Sequence, residues 1–193
     1  MKILKTTVDK LDKKVIDEAI KVLANGGVIL YPTDTVYGLG ANIFDRKAVK
    51  RVFNIKKRNY LKPISLLVFN NEAIGLVSRA SANQLNVVNK YLPGPYTFIL
   101  KKSNIVPRYL TGGLSKVGVR VPDNEIACNL AKLFPITTTS ANKSNEDTLS
   151  TPCEILEQLG CDVDLVIDVG PLKSRKPSTI IDLTEGDPIY IRK

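Results

Sequence analysis

A chain of 193 residues with 44% hydrophobic and 24% charged content is long enough to bury a core and too apolar to stay disordered. Its net charge of +9 favours polyanionic partners such as nucleotides or RNA, with a solvated basic surface as the alternative reading. The absence of histidine excludes imidazole chemistry and an HExxH metal site.

Helices and strands alternate along the chain. Leu11, Val15, Ala19, Val22 and Leu23 form a helical stripe, and Asn25-Gly26-Gly27 supplies its stop before a buried strand at Val28-Ile29-Leu30-Tyr31. Asp45 is placed to cap a second helix that turns Ala48, Val49, Val52 and Phe53 inward and Arg46, Lys47, Lys50 and Arg51 outward. Strands are expected at Pro63 to Phe69, Tyr96 to Leu100, Val117 to Val121 and Ile136 to Thr139. Helices are expected at Glu72 to Val77, Ala82 to Tyr91 and Asp123 to Phe134, the last capped by Asp123. Thr151-Pro152-Cys153-Glu154 is a capping box with proline at the first helical position, opening a helix that ends at Gly160. Strands at Val163 to Val169, Thr179 to Leu183 and Ile189 to Arg192 close an α/β or α+β arrangement, a sheet covered by helices. No repeat or linker divides it, so residues 1–193 read as one domain. The loosest segments, Ser103 to Lys116 and Pro171 to Pro177, are candidate lids.

Cys128, Cys153 and Cys161 are odd in number and lack CxxC spacing, which supports neither a disulfide framework nor a zinc site and suits a reducing cytosol. Met1 to Lys14 is charged throughout and no long apolar run follows, so a soluble, cytoplasmic protein is expected.

Positive charge gathers between Asp45 and Lys62, where eight basic residues face one acid. Such a patch steers phosphates and weakens with salt. Walker and Rossmann signatures fail: there is no GxxxxGK[ST], and Gly38-Leu39-Gly40 lacks the third glycine of a dinucleotide fingerprint. Two clusters of short polar groups remain, Tyr31 to Gly40 with Thr33, Asp34 and Thr35, and Thr137 to Asn142 with Ser140. Either reads as a hydrogen-bonded turn or cap, or as a cradle for the amine and hydroxyl of a small ligand. Lys56-Lys57-Arg58 taken together with Ser140-Ala141-Asn142 points to a nucleotide phosphate as ligand.

The conjunction resembles the threonylcarbamoyl-AMP synthase family, whose domain is YrdC-like. The matching text is YPTDTVYGLGAN at 31–42, KKR with KP at 56–63, PGPYTFIL at 93–100, VGVRVPDN at 117–124, TSAN at 139–142 and STIIDLT at 178–184. The resemblance implies a twisted sheet of mixed strands, flanked by helices, around a large positive cleft. It implies an enzyme, a nucleotidyltransferase, joining L-threonine, bicarbonate or CO2, and ATP into threonylcarbamoyl-adenylate and pyrophosphate. That product leads to threonylcarbamoyladenosine in tRNA through a partner transferase.

Residue by residue, the resemblance makes Lys56 and Arg58 catalytic. Thr35, Arg120, Thr138 and Ser178 become threonine contacts, and Arg58, Lys62, Lys116, Ser140, Asn142, Thr148 and Arg192 ATP contacts. Mg2+ would accompany ATP, with Asp34 as a neighbour and no residue set assigned as metal ligands. Many family members have histidine where Leu67 stands, which bears on amino-acid choice. A stop at Lys193 matches the short, single-domain form. Two alternatives are a non-catalytic module binding tRNA or double-stranded RNA through the basic cleft, with little aromatic interleaving for stacking, and a carbamoyl-transferring paralogue.

Overall fold

The computed structural model describes residues 1–8, 11–160, 163–174 and 176–193, so Cys161 lies outside the described residues. The first half contains β1 (Lys2–Lys5), α1 (Lys13–Ala24), β2 (Ile29–Tyr31), β3 (Gly38–Gly40), α2 (Arg46–Ile55), β4 (Ser65–Leu67), α3 (Ile74–Val77) and α4 (Ala82–Val88). The second contains β5 (Tyr96–Lys101), β6 (Lys116–Arg120), α5 (Glu125–Leu130), β7 (Ile136–Thr138), α6 (Pro152–Leu159), β8 (Leu165–Asp168), β9 (Thr179–Asp182) and β10 (Ile189–Arg192).

Two mixed sheets result, one ordered β1-β8-β2-β3 and the other β10-β9-β5-β6-β4-β7. They meet where β3 runs antiparallel to β7, through bridges between Gly38 and Ser140 and between Asn42 and Ile136. Leu39 N donates to Thr139 O at 2.9 Å and Ala141 N to Tyr37 O at 2.8 Å. This seam lays the two polar clusters of the sequence side by side.

The glycines of Gly38-Leu39-Gly40 serve the seam and no nucleotide loop. Tyr31 pairs directly with Gly38 across β2 and β3, and its ring covers both glycines. A Cβ on Gly38 would fall 2.9 Å from Tyr31 Cζ, so only the bare backbone fits beneath the ring.

Two of the three expected caps form: Asp45 accepts from Lys47 N at 2.8 Å to open α2, and Thr151 with Glu154 forms the capping box of α6. Asp12, which the pattern did not name, accepts from Lys14 N at 2.9 Å to open α1. Gly160 ends α6 in the left-handed region at φ 64°. At α5 the cap is Asn124 rather than Asp123: its side chain accepts from Ala127 N at 2.9 Å, the reach of a cap to the third helical N–H. Leu11 precedes α1 and is exposed. α4 stops at Val88, short of Tyr91, and β1 and β3 are strands that the pattern did not announce.

Two apolar clusters form the core. One is built on α2, α6 and the inner residues of β4, β5 and β6; the other joins α1 and α5 to β2, β7 and β8. Leu67 belongs to the second cluster with Tyr31, Ile136 and Leu130, fully buried. Among the described residues, no helix is long and apolar enough to cross a membrane.

Candidate functional site

The end of α2 aims two cations at the seam. Lys57 takes the left-handed conformation at φ 48°, Lys57 N donates to Asn54 O at 3.0 Å and Arg58 N to Phe53 O at 2.9 Å, the paired bonds of a Schellman stop. The reversal leaves Lys57 exposed and turns Arg58 back toward the sheet. Arg58 is then fixed by its own strand entry: Nη2 donates to Pro63 O at 2.8 Å and Nε to Lys62 O at 3.3 Å.

Lys56 is only 2% exposed. Its Nζ donates to Ser140 O at 2.5 Å, Asn142 O at 2.7 Å and Asn142 Oδ1 at 3.0 Å, while Ser140 Oγ donates to that same Oδ1 at 2.6 Å. All three ammonium protons therefore hold the Ser140–Asn142 turn. Burial, and then the Arg58 cation, push the Lys56 pKa down to about 7.

Opposite, the buried guanidinium of Arg120 at the end of β6 donates through Nη2 to Asp34 Oδ1 at 2.6 Å. Burial lowers its pKa and Asp34 partly restores it. Arg120 Nε and Asp34 Oδ2 are buried without a partner among the described residues, an open donor and an open acceptor within one ion pair. Asp34 is engaged with Arg120 through Oδ1 alone, and no cluster of three metal-binding side chains occurs among the described residues.

From β9's approach, Ser178 Oγ lies 2.9 Å from Thr97 Oγ1, and Arg192 of β10 donates through Nη2 to Ser178 O at 2.7 Å. Burial, followed by repulsion from Arg120 and Arg58, lowers the Arg192 pKa. The Arg192 guanidinium thus senses two others remote in sequence, and an anion placed among them relieves it.

These groups line two adjoining hollows that share Arg58, Ser140, Pro177 and Arg192. The smaller, about 120 Å³, is walled by hydroxyls and Arg120; the larger, about 410 Å³, adds Lys56, Lys62, Asn142, Thr148 and the carboxylates of Glu146 and Asp147. Of the expected threonine contacts, Arg120, Thr138 and Ser178 line the smaller hollow. Thr35 does not: it is buried, its hydroxyl 3.0 Å from that of Thr33, which faces the hollow in its place. Of the expected ATP contacts, Arg58, Lys62, Ser140, Asn142, Thr148 and Arg192 line the larger one. Lys116 lines neither. It stands at the other end of β6 from Arg120, about 13 Å along the strand, with Nζ donating to Asp182 Oδ2 at 2.7 Å.

Leu67 also stays out of both hollows. Ser65, outside every quoted motif, and Thr97, inside PGPYTFIL but assigned no role, line the smaller hollow because β4 pairs Ser65 with Thr138 and β5 pairs Tyr96 with Thr179. Cross-strand register brings them there, and for Ser65 a single sequence carries no sign of it. Of the two candidate lids, Pro177 borders both hollows, whereas 103–116 borders neither and is anchored by Ile64 N donating to Leu110 O at 3.0 Å.

Comparison with known proteins agrees with this fold. The chain is 39% identical over 173 residues to a protein of Chromobacterium violaceum named threonylcarbamoyl-AMP synthase, covering 87% of this chain and 88% of that one. It is 35% identical over 187 residues to the Pyrococcus abyssi protein of the same name, covering 95% of this chain but only 55% of that longer one. The crystal structure of P. abyssi Sua5 complexed with L-threonine superposes with a TM-score of 0.92 at 33% identity, over 100% of this chain and 57% of that chain. Escherichia coli YciO, an uncharacterized protein, superposes with a TM-score of 0.91 at 34% identity, over 100% of this chain and 96% of that chain. The family profile named for Sua5, YciO and YrdC, described as Telomere recombination, matches residues 21–193, and so the chain belongs to the Sua5/YciO/YrdC family.

Proposed function

We propose that this chain is a threonylcarbamoyl-AMP synthase acting as one catalytic unit in the cytoplasm. The observation that carries the reading is the pair of adjoining hollows joined at Arg58, Ser140 and Arg192, one sized and lined for an amino acid and one for a polyphosphate. Threonine places its carboxylate at Arg120 and its hydroxyl among Thr138, Ser178 and Thr33. Its amine attacks CO2 to give a carbamate with loss of a proton, and the carbamate oxygen attacks the α-phosphorus of ATP, expelling pyrophosphate. No strong protein base is required, which fits a site without histidine.

The chain's task is charge: carbamate and triphosphate repel, and Arg58, Lys62 and Arg192 stand where that repulsion builds. Lys56 holds the turn that presents Ser140 and Asn142. Mg2+ arrives with ATP as part of the substrate, held by phosphate oxygens. The adenylate passes to a transferase that modifies tRNA adenosine, and tRNA approaches the same basic cleft.

Pyrophosphate release measured with each substrate omitted in turn is the test. Release that needs ATP, L-threonine and bicarbonate together, with the carbamoyl-adenylate identified by mass spectrometry from labelled bicarbonate, is expected. Release without threonine, or preferred turnover of carbamoyl phosphate, assigns the chain to another reaction.

A further inference from the structure

A third hollow, of about 410 Å³, shares no lining residue with the two that form the cleft. Phe53, Tyr60 and Tyr109 wall it, with the Phe53 and Tyr60 rings 5.0 Å apart and the Arg46 guanidinium 6.0 Å from the centre of the Tyr109 ring. Its charged lining residues are Arg46, Lys50 and Arg108, and no acid joins them. Tyr60 is 46% and Leu61 75% exposed, an apolar surface for which the fold has no internal use. The turn at Gly112 closes onto Leu61 so tightly that a Cβ there would lie 2.5 Å from Leu61 O. The hollow is therefore built by the backbone.

Helix α2 keeps its basic face against its own stability. Arg46 and Lys47 occupy the first turn, where the helix dipole disfavours cations, and Arg46 and Lys50 are like charges four residues apart. Among the described residues, none of Arg46, Lys47, Lys50 or Arg108 has an acid within ion-pair distance.

We propose that this hollow receives an unpaired base of a single-stranded RNA, stacked against Tyr60 and Tyr109, with the flanking phosphates on Arg46, Lys50 and Arg108. Flat apolar walls with a purely cationic rim match a planar base on an anionic backbone. No amide or carboxylate lines the hollow to read a base edge, so binding is tolerant of sequence. A free nucleotide would use only one or two of the cations; Arg46, Lys50 and Arg108 around the rim suit successive phosphates of a strand. A duplex keeps its bases stacked inside and cannot fill the hollow. The inference stands independently of the adenylate-forming reaction.

Fluorescence anisotropy of labelled oligoadenylate and oligouridylate strands of about ten nucleotides, a length within the usual single-strand site size, tests this on the full chain. Both strands should bind, with affinity falling steeply in salt. Arg108→Glu and Tyr60→Ala should each weaken binding at least about tenfold, a single stacked base or phosphate clamp, while pyrophosphate release from ATP, threonine and bicarbonate stays at its original rate. Arg108 is exposed, so its variant keeps the test open if Tyr60→Ala folds poorly. Unchanged binding by both folded variants, equal affinity for the duplex, displacement by AMP alone, or stronger binding of a peptide of acidic and leucine residues would each overturn the proposal.

Discussion

Lys56 donates all its ammonium protons to Ser140 and Asn142, so in the proposed reaction its part is to position that turn and to add charge from behind it. Burial and Arg58 bring its pKa to about 7 from an ordinary 10.5, so between those limits the unfolded chain holds the extra proton and this group's contribution to stability rises with pH. ATP affinity moves the other way. A phosphate chain favours the ammonium, so binding takes up a proton, and affinity should fall by up to about tenfold per pH unit above neutrality. Lys56→Met should flatten that dependence; calorimetric titration of a non-hydrolysable ATP analogue into both proteins across the neutral range subtracts the nucleotide's own ionisation, and parallel profiles would remove Lys56 from the account. Arg120 has a different vulnerability, because its loss strands the buried Asp34 carboxylate. Arg120→Met should cost about 3–5 kcal/mol, against about 1 kcal/mol for Arg192→Gln at the exposed edge, read from urea midpoints at constant slope. Equal losses would mean that Asp34 is not left unpaired.

Among the elements, those with chemical punctuation were legible: the Asp45 cap, the Thr151–Glu154 box and the Gly160 stop each name one hydrogen-bonding solution. Asp123 beside Asn124 was not decidable, since both residues cap and only backbone geometry chooses between them. β1 escaped because an outer strand with charged neighbours lacks the buried run of an inner one, and β3 because two of its three residues are glycines. The aromatic wall formed by Phe53, Tyr60 and Tyr109 was equally hidden, its members lying on α2, after it, and in the 103–116 loop. The sharpest element-level feature is the stop of α2, which places a lysine in the left-handed region without glycine's freedom. Lys57→Gly should therefore raise stability by about 1 kcal/mol, the usual relief of a Cβ from that conformation, and leave pyrophosphate release intact. Denaturant unfolding decides it. A gain in stability with lost turnover would show that Lys57 contributes its charge to the reaction.

At the scale of the molecule, the site exists because two sheets join along β3 and β7 and because the chain returns at β9 and β10 to the edge of β5. Motif resemblance named Arg58, Arg120, Ser140 and Arg192, which line the hollows; it also named Thr35, which lines neither, and pointed to Leu67 as the place of a family histidine, where the leucine packs in the core. Thr33 and Thr35 alternate on a tight turn, and which hydroxyl faces the hollow depends on the turn's rotation. The assembled cleft sets Arg192 in repulsion with Arg120 and Arg58 on a chain of net charge +9. Filling it with a polyanion should stabilise the fold. Pyrophosphate at a hundred times its dissociation constant should add about 2.7 kcal/mol, or about 5–10 °C in melting temperature for a chain of this size. The shift should shrink with added sodium chloride, because partly exposed guanidiniums are screened within about 8–10 Å at moderate ionic strength. It should also shrink in Arg58→Gln and Arg192→Gln, and most in the double variant. A double variant that kept the full shift would place the polyphosphate outside this cleft, and with it the nucleotide half of the proposed reaction.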